Sequence, residues 1–312
     1  MILDDFLKFD ANGLYCRYAD FYLDPQQPVK TAVISHAHAD HAVSGNATVY
    51  ATPATIAFMQ LRYGKSAGRE LYTAAYNAPF TIGEVQITFI SAGHMPGSAQ
   101  VLMDYKGIQY LYTGDYKLQP DDTCEPIEWV QANVLITEST FADPATQHPD
   151  PVQEIKKLAD VKSNILLGAY GIGKSQRLIR MINDHAPQKQ ILVHHKVMPI
   201  NAVYQRFGFE LGPHQMYSRK LMKEQSEYVY IVPPFTFDSY IRATGVRRFF
   251  ASGWKKLQVN QQDTLFISDH ADWNDILEAI KQVKPQQIWT LHGDGRHLKE
   301  HFKDSIVVKI LN

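Results

Sequence analysis

Only two cysteines, Cys16 and Cys124, occur in 312 residues, too far apart for a C-x-x-C pair and too few for a disulfide framework. Their scarcity excludes a stapled scaffold and fits packed thiols in a reducing compartment. No apolar run approaches the ~20 residues of a membrane helix, and the acidic start MILDDFLKFD is unlike a secretory leader. A cytoplasmic, unprocessed protein with no membrane partner is therefore expected. Net charge is missing as well. With 31 Lys and Arg against 32 Asp and Glu the formal charge is -1, so any contact with a polyanion must be local. Repeats and low-complexity linkers are absent, and 45% hydrophobic with 12% aromatic residues is enough for one large core or two smaller ones.

What is present falls into two textures. Up to about Ile136, short β-type runs alternate with turns: TAVIS (31–35), ATVYA (47–51), EVQITFIS (84–91), AQVLMDY (99–105) and IQYLYT (108–113). From about Pro149, helical stretches over 152–160, 174–185 and 197–208 alternate with the apolar strands NILLGAY (164–170), QILVHH (190–195) and YVYIV (228–232). LFIS (265–268), a helix over 273–283 and QIWTLH (287–292) then return to the first texture. The pattern predicts a layered sheet domain over 1–148 and 263–312, interrupted by a second α/β unit over 149–262.

Histidine is the unusual count, at 13, and six of these fall in short Gly/Ser/Asp-rich segments. The densest is SHAHADH at 35–41, where His36, His38, Asp40 and His41 crowd the turn after a strand. Imidazole nitrogen and carboxylate oxygen are both good zinc donors. A catalytic zinc commonly takes three protein ligands plus water, so four candidates in seven residues point to two metals that need further donors. Those donors end strand-like runs: His94 in SAGHMPGSA, Asp115 in LYTGDYK and His292 in WTLHGDG. A lone His or Asp of this kind is usually a satisfied polar residue. The full set reverses that expectation.

These motifs resemble the metallo-β-lactamase superfamily and, within it, the β-CASP nucleic-acid nucleases, over nearly the whole chain. The resemblance implies an α/β fold, a metallo-β-lactamase αββα sandwich with an inserted β-CASP-like α/β cap domain. It implies two Zn2+, with Mn2+ an alternative in a nitrogen and oxygen site. One ion would be held by His36, His38 and His94, the other by Asp40, His41 and His292, with Asp115 shared. Asp24, in FYLDPQQPV, resembles the acid that orients a ligand histidine, and Asp20 competes for that assignment. ANVLITESTF (132–141), FISDHADW (266–273) and WTLHGDG resemble the three β-CASP motifs, which puts Glu138 and His270 beside Asp40 and Asp24 in the catalytic set. His270 would protonate the leaving oxygen, with Glu138 holding its imidazole.

GLYCRYADFYLDP (13–25), SHAHADHA, VRRFFASGWKK (246–256) and LFISDHADW resemble, more narrowly, the bacterial ligase-associated DNA exonucleases. That likeness implies DNA as substrate and a repair role beside an ATP-dependent DNA ligase and a helicase. An RNA-processing nuclease and a non-catalytic nucleic-acid-binding subunit are the rival readings. GAYGIGKS (168–175) fits the phosphate-loop pattern, so an ATPase dependent on Lys174 is a further alternative, and a more modest one has Lys174 facing a DNA phosphate. Arg247, Arg248, Trp254, Lys255 and Lys256 combine cations with aromatics in a way that suits a single strand. Ser98 and Ser252 are further candidates for donation to phosphate oxygens.

Overall fold

The structure is a computed structural model, and it describes residues 1–224, 226–255 and 263–311. The chain forms two compact units, one of residues 1–120, 124–147 and 270–312, the other of 121–123 and 148–269.

Two sheets build the first unit. One has the order Leu7–Asp10, Gly13–Cys16, Phe21–Leu23, Thr31–Val33, Thr48–Ala51, Glu70–Thr73. The other runs Val307–Ile310, Gln287–Leu291, Val134–Glu138, Ile108–Tyr112, Ala99–Tyr105, Val85–Ser91, Phe80–Ile82. Period-two patterning decides which faces meet. In Val85–Ser91 the side chains of Val85, Ile87 and Phe89 are buried while Gln86 is exposed. They join Leu14, Phe21, Leu23 and Val33 of the first sheet, and Met103, Tyr112, Ile136 and Trp289 of the second, in one core between the sheets. The opposite face of the second sheet carries Leu111, Leu135 and Ile288, covered by Ile276, Ile280 and Val283 of the helix Trp273–Val283. Ala32, Val49 and Ala51 on the back of the first sheet are covered by Ile56 and Met59 of the helix Pro53–Tyr63. The αββα order expected from sequence is the order observed.

Val134–Glu138 is buried on both faces because it sits mid-sheet with parallel neighbours on both sides, Ile108–Tyr112 and Gln287–Leu291. Parallel pairing aligns carboxyl ends. Segments leading to Asp115, Glu138 and His292 therefore leave the same edge of the second sheet, and Ala99 N–H donates to Ser35 O at 2.8 Å, tying the His-rich turn to that edge.

The second unit is an all-parallel sheet in the order Gln215–Met216, Gln190–Val193, Tyr228–Val232, Asn164–Gly168, Val246–Ala251, Asp263–Leu265, with helices including Pro151–Ala159, Lys174–His185 and Met198–Arg206 in the connections. VRRFF lies in an inner strand. One expectation needs correction, since the return to the first unit comes at His270 instead of residue 263. The reason is that Asp263–Leu265 pairs with Val246–Ala251, and Glu154 accepts the amide of Phe266 at 2.9 Å. Among the described residues, no helix is long and apolar enough to cross a membrane.

Trp289 is fully buried, its ring 5.8 Å from that of Tyr110. Trp289→Ala should cost about 3–5 kcal/mol, read as a lower urea midpoint by circular dichroism. Phe235→Ala, at an exposed position, should stay within about 0.5 kcal/mol of the parent.

Candidate metal centre

Asp24 is the organising carboxylate of the site. It is buried, in a left-handed backbone conformation (φ 41°), and accepts hydrogen bonds from three residues. Ser35 donates its amide to Oδ1 at 2.7 Å and its hydroxyl to Oδ2, Tyr112 donates its hydroxyl to Oδ2 at 2.8 Å, and His41 Nδ1 lies 2.9 Å from Oδ2. Asp20, the competing assignment, is exposed and accepts from Tyr15 and Lys30.

These bonds settle two tautomers. His41 carries its proton on Nδ1, facing Asp24, and turns Nε2 to Asp115 Oδ2 at 3.4 Å. Ser35 gives its single hydroxyl proton to Asp24, so at 3.0 Å it accepts one from His36 Nδ1, and His36 Nε2 becomes an acceptor 3.5 Å from the same Asp115 oxygen. His36 Nε2 then meets His38 Nδ1 at 3.1 Å, and His38 Nδ1 meets His94 Nε2 at 3.2 Å. A tetrahedral zinc with Zn–N bonds of about 2.0–2.1 Å would separate its ligand atoms by about 3.3 Å. Ring nitrogens and a carboxylate oxygen converging at this spacing fit a cation, and His36, His38, His94 and Asp115 have ligand atoms within 4.8 Å of one another.

The electrostatics agree at His36 and His94. Burial, then the neighbouring His41, holds His36 well below the ordinary imidazole range, and burial, then His38, does the same for His94. Neutral imidazole is the form that binds metal. At His41, burial opposes the charge, but Asp115 and Asp24 lift the imidazole well above its usual value. Asp115 is likewise opposed by burial and held far below the carboxylate range by His41 and then His270.

The other expected ligands are placed more loosely. Asp40 is 81% exposed, its Oδ2 4.0 Å from His41 Nε2, and the His292 ring, on an exposed residue at φ 53°, has its centroid 5.3 Å from that of His41. Both flank His41 without joining the compact set. Glu138 is buried, accepts from Tyr116 N–H at 3.0 Å and Thr140 Oγ1 at 2.7 Å, and lies 2.9 Å from His270 Nδ1. His270 Nδ1 is also 3.8 Å from Asp115 Oδ2. Two glycines permit this closeness. A Cβ on Gly114, at φ 55°, would come within 2.8 Å of Ser35, and one on Gly293 within 2.0 Å of the Ser139 carbonyl.

Several expected nucleic-acid contacts are corrected. Ser98 is buried and accepts the amides of His94 and Met95 at 3.0 and 3.2 Å, so it shapes the His94 turn. Lys174 is buried, donating to Ile267 O at 2.7 Å and pairing with Asp269 at 3.0 Å, which removes it from any phosphate-loop role. Ser252 is buried and accepts the amide of Trp254. Arg247 forms a two-pronged pair with Asp263, and Arg248 stacks over Phe237 at 4.2 Å. Trp254 and Lys255 are exposed, while Lys256 lies outside the described residues.

Ser35, Tyr112 and Lys117 were not singled out in the sequence. Lys117 is buried and donates to the His94 carbonyl at 2.6 Å. Ser35 and Lys117 each lie within two residues of a candidate ligand in SHAHADH and TGDYK, and that adjacency was the available signal.

With this geometry in hand, comparison with known proteins gives a concordant picture. Residues 257–307 match the Zn-dependent metallo-hydrolase RNA specificity domain. A protein of Opitutus terrae named probable DNA ligase is 30% identical over 303 residues, covering 92% of this chain and 29% of that protein. Endoribonuclease ysh-1 of Neurospora crassa is 27% identical over 50% of this chain and 23% of its own, and DNA cross-link repair protein SNM1 of Arabidopsis thaliana is 24% identical over 45% and 32%. This chain thus spans less than a third of the Opitutus relative's length. An Enterococcus faecalis protein of unknown function shares the fold, with a TM-score of 0.61 at 15% identity over 90% of this chain and 79% of that one. The chain belongs to the metallo-β-lactamase/β-CASP nuclease family. The matched domain is one described for Zn-dependent metallo-hydrolases, and His36, His38, His94 and Asp115 are placed where they could hold a metal ion.

Asp24→Ala removes the anchor of His41 and Ser35 and should weaken zinc binding about 10–100-fold. Competition with a chromophoric chelator measures this directly, and unchanged affinity would contradict the orienting role.

Proposed function

We propose that the protein is a di-zinc DNA exonuclease acting in DNA repair. The observation that carries the nuclease reading is Asp115, whose Oδ2 faces His36, His41, His94 and His270 within 3.9 Å while His270 is backed by Glu138. In this reading His36, His38 and His94 would hold one ion and Asp40, His41 and His292 the other, with Asp115 available to both. The chemistry bound zinc supplies is Lewis-acid polarisation of a phosphoryl oxygen and acidification of water.

The chain's own residues do the rest. Asp24 fixes His41 and, through Ser35, His36, so that both present Nε2. Glu138 holds the proton of His270 on Nδ1, and His270 acts through Nε2, giving a proton to the leaving oxygen of the phosphodiester. Asp40, exposed and with Oδ2 4.0 Å from His41 Nε2, would supply a carboxylate oxygen to the second ion.

DNA over RNA is supported by the extent of similarity. The relative named as a DNA ligase matches across 92% of this chain, the endoribonuclease of Neurospora across 50%. A companion ATP-dependent ligase and helicase belong to the same proposal. RNA is the second reading, favoured by the name of the matched domain.

His270→Ala should lower kcat about 10²–10⁴-fold while zinc content is retained. Asp115→Ala should lose both zinc and cleavage. End-labelled DNA and RNA oligonucleotides of one sequence test the substrate: progressive shortening of DNA from one end is expected, and faster loss of RNA would overturn the DNA assignment.

A further inference from the structure

Resting on the nucleic-acid reading above, we propose that the carboxyl-end rim of the second unit's parallel sheet is a stacking platform for unpaired bases. Tyr170, Phe235 and Trp254 supply the faces, and His195, Lys196 and Lys255 flank them for the strand's backbone.

The topology assembles this rim. All strands of the sheet run parallel, so their carboxyl ends share one edge, where open α/β sheets bind ligands. Register brings the exits together. Gly168 pairs with Val232 on one side and Phe250 on the other, Val193 pairs with Ile231, and Ala169 N–H continues the ladder to Val232 O at 2.9 Å. Tyr170, Phe235, Trp254 and His195 each follow within a few residues of those pairs.

The aromatics are exposed where burial was within reach. Phe235 is 92% exposed, Tyr170 51% and Trp254 46%, whereas Phe237, in the same short helix Pro234–Ser239 as Phe235, is fully buried. Phe237 packs at Gly168, where even a Cβ would come within 2.8 Å of its ring. Docking by Phe237 leaves Phe235 outward, and Pro233 with Pro234 stiffens its approach. Tyr170 is fixed from behind, since its carbonyl accepts Ser175 N–H at 3.1 Å and Ser175 Oγ at 2.7 Å. The GAYGIGKS turn thus presents an aromatic side chain, with its lysine turned inward.

Exposed aromatics on one rim with exposed lysines suit single strands, because every base offers a π-face and the cations track the phosphates. A duplex keeps its bases stacked on each other and cannot use such faces. Strand spacings of about 4.8 Å make the rim about 14 Å wide across the four strands involved. That accommodates about four nucleotides at the ~3.4 Å phosphate spacing of a stacked strand.

The test is fluorescence anisotropy with a labelled phosphorothioate oligo(dT), which resists hydrolysis, on the zinc-loaded full chain. Tyr170→Ala with Phe235→Ala should weaken binding at least about tenfold, and Tyr170→Phe with Phe235→Tyr should restore it to within about threefold. Affinity for a duplex of the same length should not change. Unchanged oligo(dT) affinity in the double alanine variant, or an equal loss on duplex, overturns the platform. Unfolding midpoints by circular dichroism identify a misfolded variant, in which case the single substitutions carry the same comparison. Hydrolysis of bis(p-nitrophenyl) phosphate by the parent protein reports on the hydrolytic reading separately, so the two failures are distinguishable.

Discussion

A carboxylate taken out of water must be satisfied by donors, and Asp24 meets that requirement by drawing together parts of the chain that are otherwise distant. Ser35 and His41 come from the turn after the strand Thr31–Val33 of the first sheet, and Tyr112 ends a strand of the second. Burial, then Asp24, pushes the Tyr112 hydroxyl well above the usual phenol range, so it stays a donor. The Asp24 contacts therefore couple the sheet-to-sheet packing to the tautomers of the imidazoles. Without the carboxylate, Ser35 loses the acceptor for its hydroxyl proton and His36 loses the reason for its orientation.

The candidate site was legible where its chemistry is local. Ligands packed into SHAHADH have few reasons to be there other than convergence, and His94, Asp115 and His292 each end an apolar run whose period marks a strand. The αββα layers were legible for the same reason. The choice between Asp20 and Asp24 was not, because the two flank one three-residue strand and the decision lies in which one reaches Ser35 and Tyr112 across the fold.

Partner choice likewise explains the misread lysine. Lys174 begins a helix in a sequence that reads as a phosphate loop, yet it lies against Asp269, where Arg177 joins it and also donates to Ser268 O. Asp269 belongs to a different motif almost a hundred residues along, and nothing local announces the pairing. Ser98 and Ser252 were assigned by residue type beside the site, and both hydroxyls accept backbone amides instead. The strand Asp263–Leu265 was attached to the wrong sheet because a short apolar run states its conformation but not its neighbour.

The buried pair at Lys174 also bears on what the second unit is for. Burying ionised groups is costly unless each is paired and hydrogen-bonded, so such clusters are weak evidence for stability and better evidence for a segment held in one conformation. Here the segment is Ile267–Asp269, gripped at the Ile267 carbonyl by Lys174, at the Ser268 carbonyl by Arg177 and at the Asp269 carboxylate by both. His270 follows directly in the chain. The fold alone does not choose a substrate. In this chain His270, proposed for the leaving-group role, directly follows a stretch whose carbonyls and carboxylate are engaged by the second unit's own Lys174 and Arg177.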